Sequence, residues 1–231
     1  MTLVVRLPTR ALNRKDDLMT SSSTPAGLRP GDTVLFIGDS ITDAGRDRSD
    51  DSDLGRGYAH LAAALLGASR PDLGLTFLNR GIGGDTTSMV LARWSSDAID
   101  LSPTVVSIMI GINDTWRRFD SGTPTSIASY ELSLRAMLSS ARDDLGAHLV
   151  LIEPFLLPVN QEQWDWRDDL DPRIAVVRRL AGEFNATLVP VDGLLSAVAA
   201  RDGAAVWAPD GVHPSLAGHA LIAKAWIDAV N

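Results

Sequence analysis

The run TVVSIMIG, residues 104–111, constrains the fold more than any other stretch of the chain. It is apolar without alternation and rich in β-branched residues. A half-exposed strand carries a polar residue at every second position, so an unbroken run marks a strand covered on both faces. Such strands belong to parallel sheets, because the crossovers between parallel strands lay helices on either side. Four more runs read the same way: TVLFIG (33–38), LTFLN (75–79), HLVLIEPF (148–155, stopped by Pro154) and TLVPV (187–191). Helical patterns separate them. GYAHLAAALLG puts Tyr58, Leu61, Leu65 and Leu66 on one predicted face, and TTSMVLARWSSDAI reads as one helix. Residues 126–145 space Ile127, Tyr130, Leu134, Met137 and Leu138 for a helix. DPRIAVVRRLAGEFN opens with Pro172 near a helix start. SLAGHALIAKAWIDAV has Ser215 as its expected N-cap. Residues 154–171 form the longest stretch read as irregular, either a substrate-facing flap or a surface connection. The expected fold is α/β, a three-layer α/β/α sandwich around a mainly parallel five-stranded sheet.

The chain has 231 residues, 45% of them hydrophobic, which suffices for one core and one domain. That domain is expected over residues 29–231. Residues 1–28 are expected to form a poorly ordered tail, with Met19 an alternative start. There is no continuous apolar segment or cleavage site of a secretory signal, no span long enough for a membrane, and the expected location is the cytoplasm. A net charge of −8 with no dense basic run argues against nucleic acid as a partner. The absence of cysteine excludes disulfides, thiolate metal sites and cysteine nucleophiles. Four unclustered histidines give no metal site.

In a parallel sheet, ligands bind outside the carboxyl ends of the strands. Three consecutive strands here end in polar, Gly-rich sequence: Gly38-Asp39-Ser40, NRGIGGDT and GINDTW. Gly-Asp-Ser alone is ordinary turn chemistry. A nucleophilic serine also needs a base, an acid to orient that base, and an oxyanion hole. His60 and His219 fall in helices and His148 precedes a strand. His213 lies in the loop PDGVHPS, and Asp210 is three residues earlier. On one turn, Asp210 can hold the His213 Nδ1 and leave Nε2 free for the Ser40 proton. Oxyanion donors are available from the Ser40 N–H, from the backbone amide of Gly84 and from the Asn113 side chain. RGIGGDT also reads as a plain strand-to-helix turn, and it matches neither phosphate-loop pattern.

Asp39 and Asp43 flank Ser40, and turn hydrogen bonding accounts for Asp43 as well as catalysis does. Arg46, Arg93 and Arg117 lie beside the motifs, where surface solvation is the expected role. Trp94, Trp116 and Trp207 offer flat apolar faces for a sugar ring. These three and Asp39 are candidate substrate contacts, with core packing as the rival for the indoles. Trp226, at helical spacing, is expected in the core.

The blocks GDSIT, NRGIGGDT, GIND and DGVHPS occur in the order and spacing of the SGNH (GDSL) hydrolases, which the chain resembles over residues 38–215. The resemblance implies a flavodoxin-like fold with no metal or cofactor. It implies Ser40 as nucleophile, Asp210 and His213 as the acid–base pair, and Ser40, Gly84 and Asn113 as oxyanion donors. FIGDSITDAGR, LARWSSD, SIMIGINDTWRRFD and VHPSLAGH are similar to bacterial intracellular acetylxylan esterases of this superfamily. That narrower resemblance implies an acetylated sugar, such as a xylo-oligosaccharide, as substrate, and a homo-oligomer as the assembly. A short-chain lipid esterase, a thioesterase or a lysophospholipase-type enzyme shares the same site plan. A sugar-binding protein with a vestigial site is the remaining alternative.

Overall fold

The computed structural model describes residues 27–231, so the expectations about the tail and Met19 lie almost wholly outside the described residues. The chain enters where the Leu28 N–H bonds the Val230 carbonyl at 3.2 Å. Five strands follow: β1 (Thr33–Gly38), β2 (Thr76–Gly81), β3 (Val105–Met109), β4 (His148–Ile152) and β5 (Thr187–Val189). They pair in the order β2-β1-β3-β4-β5, and every pairing is parallel.

Period-two alternation divides each strand between two cores. Val34 and Phe36 of β1, Met109 of β3 and Val150 and Ile152 of β4 face one side. Leu35 and Ile37, Val106 and Ile108, and Leu149 and Leu151 face the other. The first core is closed by α2 (Tyr58–Ser69), α8 (Val191–Asp202) and α10 (Leu216–Val230). Trp226 lies at its centre, fully buried, 5.0 Å from the Phe36 ring and donating its indole N–H to the Ser107 Oγ at 3.0 Å. The second core is closed by α3 (Thr87–Ala92), α4 (Trp94–Asp97) and α6 (Ile127–Asp143). α7 (Gln161–Glu183) contributes to both. Short helices α1 (Ser40–Asp43), α5 (Ile112–Asp120) and α9 (Ala204–Trp207) complete the α-helices of the described residues, beside two 3-10 turns at Pro71–Leu73 and Ile99–Leu101. No helix among them is long and apolar enough to cross a membrane.

Several sequence expectations change. Leu65 does not share the buried face of α2; it is 53% exposed, and Tyr58, Ala59, Ala62 and Leu66 are buried instead. The small side chains of Ala59 and Ala62 lie in the first core, with Ile222, Ala223 and Trp226 of the last helix, Leu216–Val230. TTSMVLARWSSDAI is two helices, broken at Arg93. Pro172 does not open a helix but sits inside α7, which begins eleven residues earlier at Gln161. Asn160 caps that start by accepting the Gln163 N–H at 2.9 Å, and the Gln163 Oε1 accepts the N–H of Val159, the residue before the cap, at 2.9 Å. The polar sequence GINDTW after the third strand is mostly helical: Gly111 leads directly into α5.

Candidate active site

The strand order reverses between β1 and β3, and the crevice beyond the carboxyl ends of those two strands is where a parallel sheet takes its ligands. Ser40 stands there as the first residue of α1, partly exposed. Asp39 caps the helix, its Oδ1 accepting the Ile41 N–H at 3.0 Å. With 1% of its surface exposed, Asp39 serves the turn and has no face toward a substrate. Burial, with the negative charges of Asp114 and Asp85, pushes its carboxyl up to about 7.

The loop before α10 brings a base to Ser40 across 173 positions of sequence: Ser40 Oγ and His213 Nε2 are 3.0 Å apart. His213 Nδ1 is 2.7 Å from Asp210 Oδ2, while Asp210 Oδ1 accepts the N–H groups of Val212 and His213 at 2.9 and 2.7 Å. Partial burial would raise the Asp210 carboxyl, but the hydrogen bonds from the His213 ring and from the backbone outweigh it. The group is held below the usual carboxylate range. An imidazole between a hydroxyl and an ionised carboxylate can take the hydroxyl proton and remain stabilised as the cation. Among the described residues, His213 alone of the four histidines bonds Ser40. His60 is exposed, His148 meets Thr187, and the His219 Nδ1 accepts the Tyr58 N–H.

The loop Gly81–Asp85 lies beside the serine. A Cβ on Gly83 would stand 3.8 Å from the Ser40 Cβ, and the Gly83 N–H bonds the Asp43 Oδ2 at 3.1 Å. Asp43 therefore does more than turn its own chain, since it ties α1 to this loop. Gly84 has φ +86°, a conformation glycine adopts without strain, and a Cβ there would meet the Arg117 Nη2 at 3.2 Å. Asn113, 4% exposed in the first turn of α5, gives one amide hydrogen to the Asp85 carbonyl at 3.0 Å and keeps a second. Asp114 accepts the N–H and Oγ1–H of Thr87, joining α5 to α3.

Of the indoles, Trp94 is 5% exposed in the core and donates to the Ser140 Oγ at 3.2 Å. Trp207 packs half-buried against the first core. Trp116 is the one beside the base, its ring centre 5.9 Å from that of His213 and 5.5 Å from that of Trp166. The stretch 154–171 supports the acid loop in a way its sequence did not suggest. The Leu157 N–H bonds the Gly211 carbonyl at 2.8 Å, and the Gln163 side chain donates to the Asp210 carbonyl at 2.7 Å. The N-cap residue Asn160 marks the start of α7 in the sequence, but nothing there marks the bond from Gln163 to Asp210. Among the described residues no three His, Asp or Glu side chains group as a metal site.

The family model for the GDSL-like lipase/acylhydrolase family matches residues 36–221. An acetylxylan esterase of Geobacillus stearothermophilus is 38% identical over 209 residues, covering 87% of this chain and 94% of that one. The crystal structure of an acetylxylan esterase from that organism superposes with a TM-score of 0.83 at 37% identity, covering 89% and 96% of the two chains. Variants of that enzyme with a histidine, a serine or an aspartate replaced by alanine are described as catalytic mutants. An α/β hydrolase from the metagenome of Lake Arreo, Spain, superposes with a TM-score of 0.82 at 33% identity, covering 88% and 96%.

Proposed function

We infer the function from one premise: the chain belongs to the GDSL-like lipase/acylhydrolase family. It is a carboxylic ester hydrolase. The finer reading is a carbohydrate acetylesterase that removes acetyl groups from xylo-oligosaccharides. The observation that carries the chemistry is the unbroken relay from Ser40 Oγ through His213 to Asp210, with contacts of 3.0 and 2.7 Å. Its position beyond the carboxyl ends of β1 and β3, and its relatives that act on acetylxylan, support the substrate class.

The reaction runs in two acyl transfers. Ser40 Oγ attacks the acetyl carbonyl carbon while His213 Nε2 takes the serine proton. The carbonyl π electrons move to oxygen, where the N–H groups of Ser40 and Gly84 and the free amide hydrogen of Asn113 stabilise them. Collapse breaks the bond to the sugar oxygen, which leaves with the proton from His213. Water repeats the sequence on the acetyl-enzyme and releases acetate. Asp210 holds the imidazole in the tautomer that presents Nε2. Trp116 offers a pyranose ring an apolar face next to the base.

Acetate release from acetylated xylo-oligosaccharides, measured beside p-nitrophenyl acetate and octanoate with Ser40→Ala as control, tests this. Sugar deacetylation lost in the variant supports it. A preference for octanoate over the sugar moves the substrate to lipid esters. Turnover that survives in Ser40→Ala overturns the mechanism.

A further inference from the structure

Three chain segments must be aligned for the oxyanion site to exist: the end of β1, the glycine loop and the start of α5. We propose that Arg93 is the positioning residue that aligns them. Its side chain is 15% exposed, although its place in the sequence suggested surface solvation. It sits at the break between α3 and α4 and uses all three nitrogens. Nη2 donates to the Gly38 carbonyl at 3.2 Å, two residues before Ser40. Nε donates to the Asp85 Oδ2 at 2.8 Å, one residue after Gly84. Nη1 donates to the Asp97 Oδ2 at 2.6 Å, which anchors the fork from outside. The Asp85 carbonyl in turn accepts the Asn113 amide at 3.0 Å. The Gly38 carbonyl also accepts the Ile82 N–H at 3.1 Å, closing the link between strand end and loop.

Each of the three proposed oxyanion donors is thus within two residues, or one further hydrogen bond, of a single planar cation. A guanidinium presents its donors in fixed directions, which an ammonium on a flexible stem cannot reproduce. Oxyanion donors act because they are already in place when charge develops, so what fixes them fixes the rate. Arg93 touches neither substrate nor serine; it acts through the groups it holds. This inference rests on the assignment of Ser40, Gly84 and Asn113 above.

The test uses p-nitrophenyl acetate and its thiono analogue, in which a sulfur that accepts hydrogen bonds weakly replaces the carbonyl oxygen. Arg93→Met and Arg93→Lys are compared with wild type and with Arg135→Met. Arg135 pairs with Glu131 and Glu183 on α6 and α7, remote from the crevice, so its loss controls for a broken ion-pair network. For Arg93→Met, kcat on the oxo ester is expected to fall ~10–100-fold with KM nearly unchanged, by analogy with small misplacements of catalytic groups. Arg93→Lys is expected to recover only part of that rate. The thiono ester, which gains little from the hole, is expected to slow far less, so the oxo-to-thiono rate ratio drops. Arg135→Met is expected to keep both rates. An unchanged kcat in folded Arg93→Met, or equal losses on both esters, would overturn the proposal. If Arg93→Met does not fold, the same ratio in Arg93→Lys decides. Absence of Ser40-dependent hydrolysis in wild type would instead overturn the reaction itself, and the positioning role with it.

Discussion

Acidification is expected to weaken the fold through His219. The first residue of α2, Tyr58, has no capping side chain from its own segment, because the N-cap is Gly57. A helix start leaves its first N–H groups without partners. His219, on α10, fills the gap: its Nδ1 accepts the Tyr58 N–H at 3.2 Å. It can do so only while neutral at that nitrogen. Burial, and next the nearby His213, lower its pKa from 6.5 to about 4. Between those values the unfolded chain takes up a proton that the folded chain refuses. Stability is therefore complete above pH 6.5 and is lost as pH falls toward 4. The gap of about 2.5 pH units corresponds to about 3 kcal/mol. Wild type alone would mask this, because Asp39 acts in the opposite sense. Its pKa is raised from 3.8 to about 7, so its contribution is full below 3.8 and is lost as pH rises to 7. His219→Asn separates the two, since the Asn Oδ1 occupies the place of the acceptor and does not titrate. Urea unfolding of both proteins at pH 7.5 and pH 4 gives the answer. The stability of wild type relative to the variant is expected to drop by about 3 kcal/mol between the two. A difference that stays constant within roughly 0.5 kcal/mol would refute the assignment of a neutral, bonded His219.

Three further outcomes are expected. Asn113→Ala should lower kcat ~10²–10³-fold on aryl acetates, the loss typical of one oxyanion donor; a near-normal rate would remove Asn113 from that role. Gly211→Ala forces a Cβ to 2.4 Å from the Gln163 Oε1 and 2.8 Å from the Leu157 carbonyl, at φ +85°. It is expected to cost ~1–2 kcal/mol in backbone strain and to depress kcat by moving Asp210 and His213, read by unfolding and by steady-state rates together. Trp226→Ala empties the centre of the first core and is expected to cost ~3–5 kcal/mol in urea unfolding, with a loss under about 1 kcal/mol contradicting its central place.

The sheet was legible because a parallel strand writes itself as a continuous apolar run, and β1 matches its predicted bounds residue for residue. The last helix was legible through Ser215, whose side chain accepts the Gly218 N–H. What failed were local boundaries decided by tertiary contacts. α7 holds Pro172 in its interior, and one residue on, fully buried Arg173 donates to Thr115, to the Asp114 and Thr125 carbonyls and to Asp169. α5 starts on a glycine with φ +138° and has no side-chain cap to announce it. In the site, short motifs pointed to Ser40, His213 and Asp210, and the fold brings those side chains into hydrogen-bond contact. The supports were not legible, because they act across the sequence. Gln163 reaches Asp210 over 47 positions and Arg93 reaches Gly38 over 55, and neither spacing is a pattern that sequence alone can mark.

The central claim is that Ser40 forms the covalent intermediate. Diethyl p-nitrophenyl phosphate tests it directly, since an activated serine displaces nitrophenolate and keeps the diethylphosphoryl group. One equivalent of nitrophenolate per chain is expected, with the added mass on the peptide that contains Ser40, no reaction in Ser40→Ala and a slow one in His213→Ala. An adduct on another residue, or ester hydrolysis that persists in Ser40→Ala, would contradict the account.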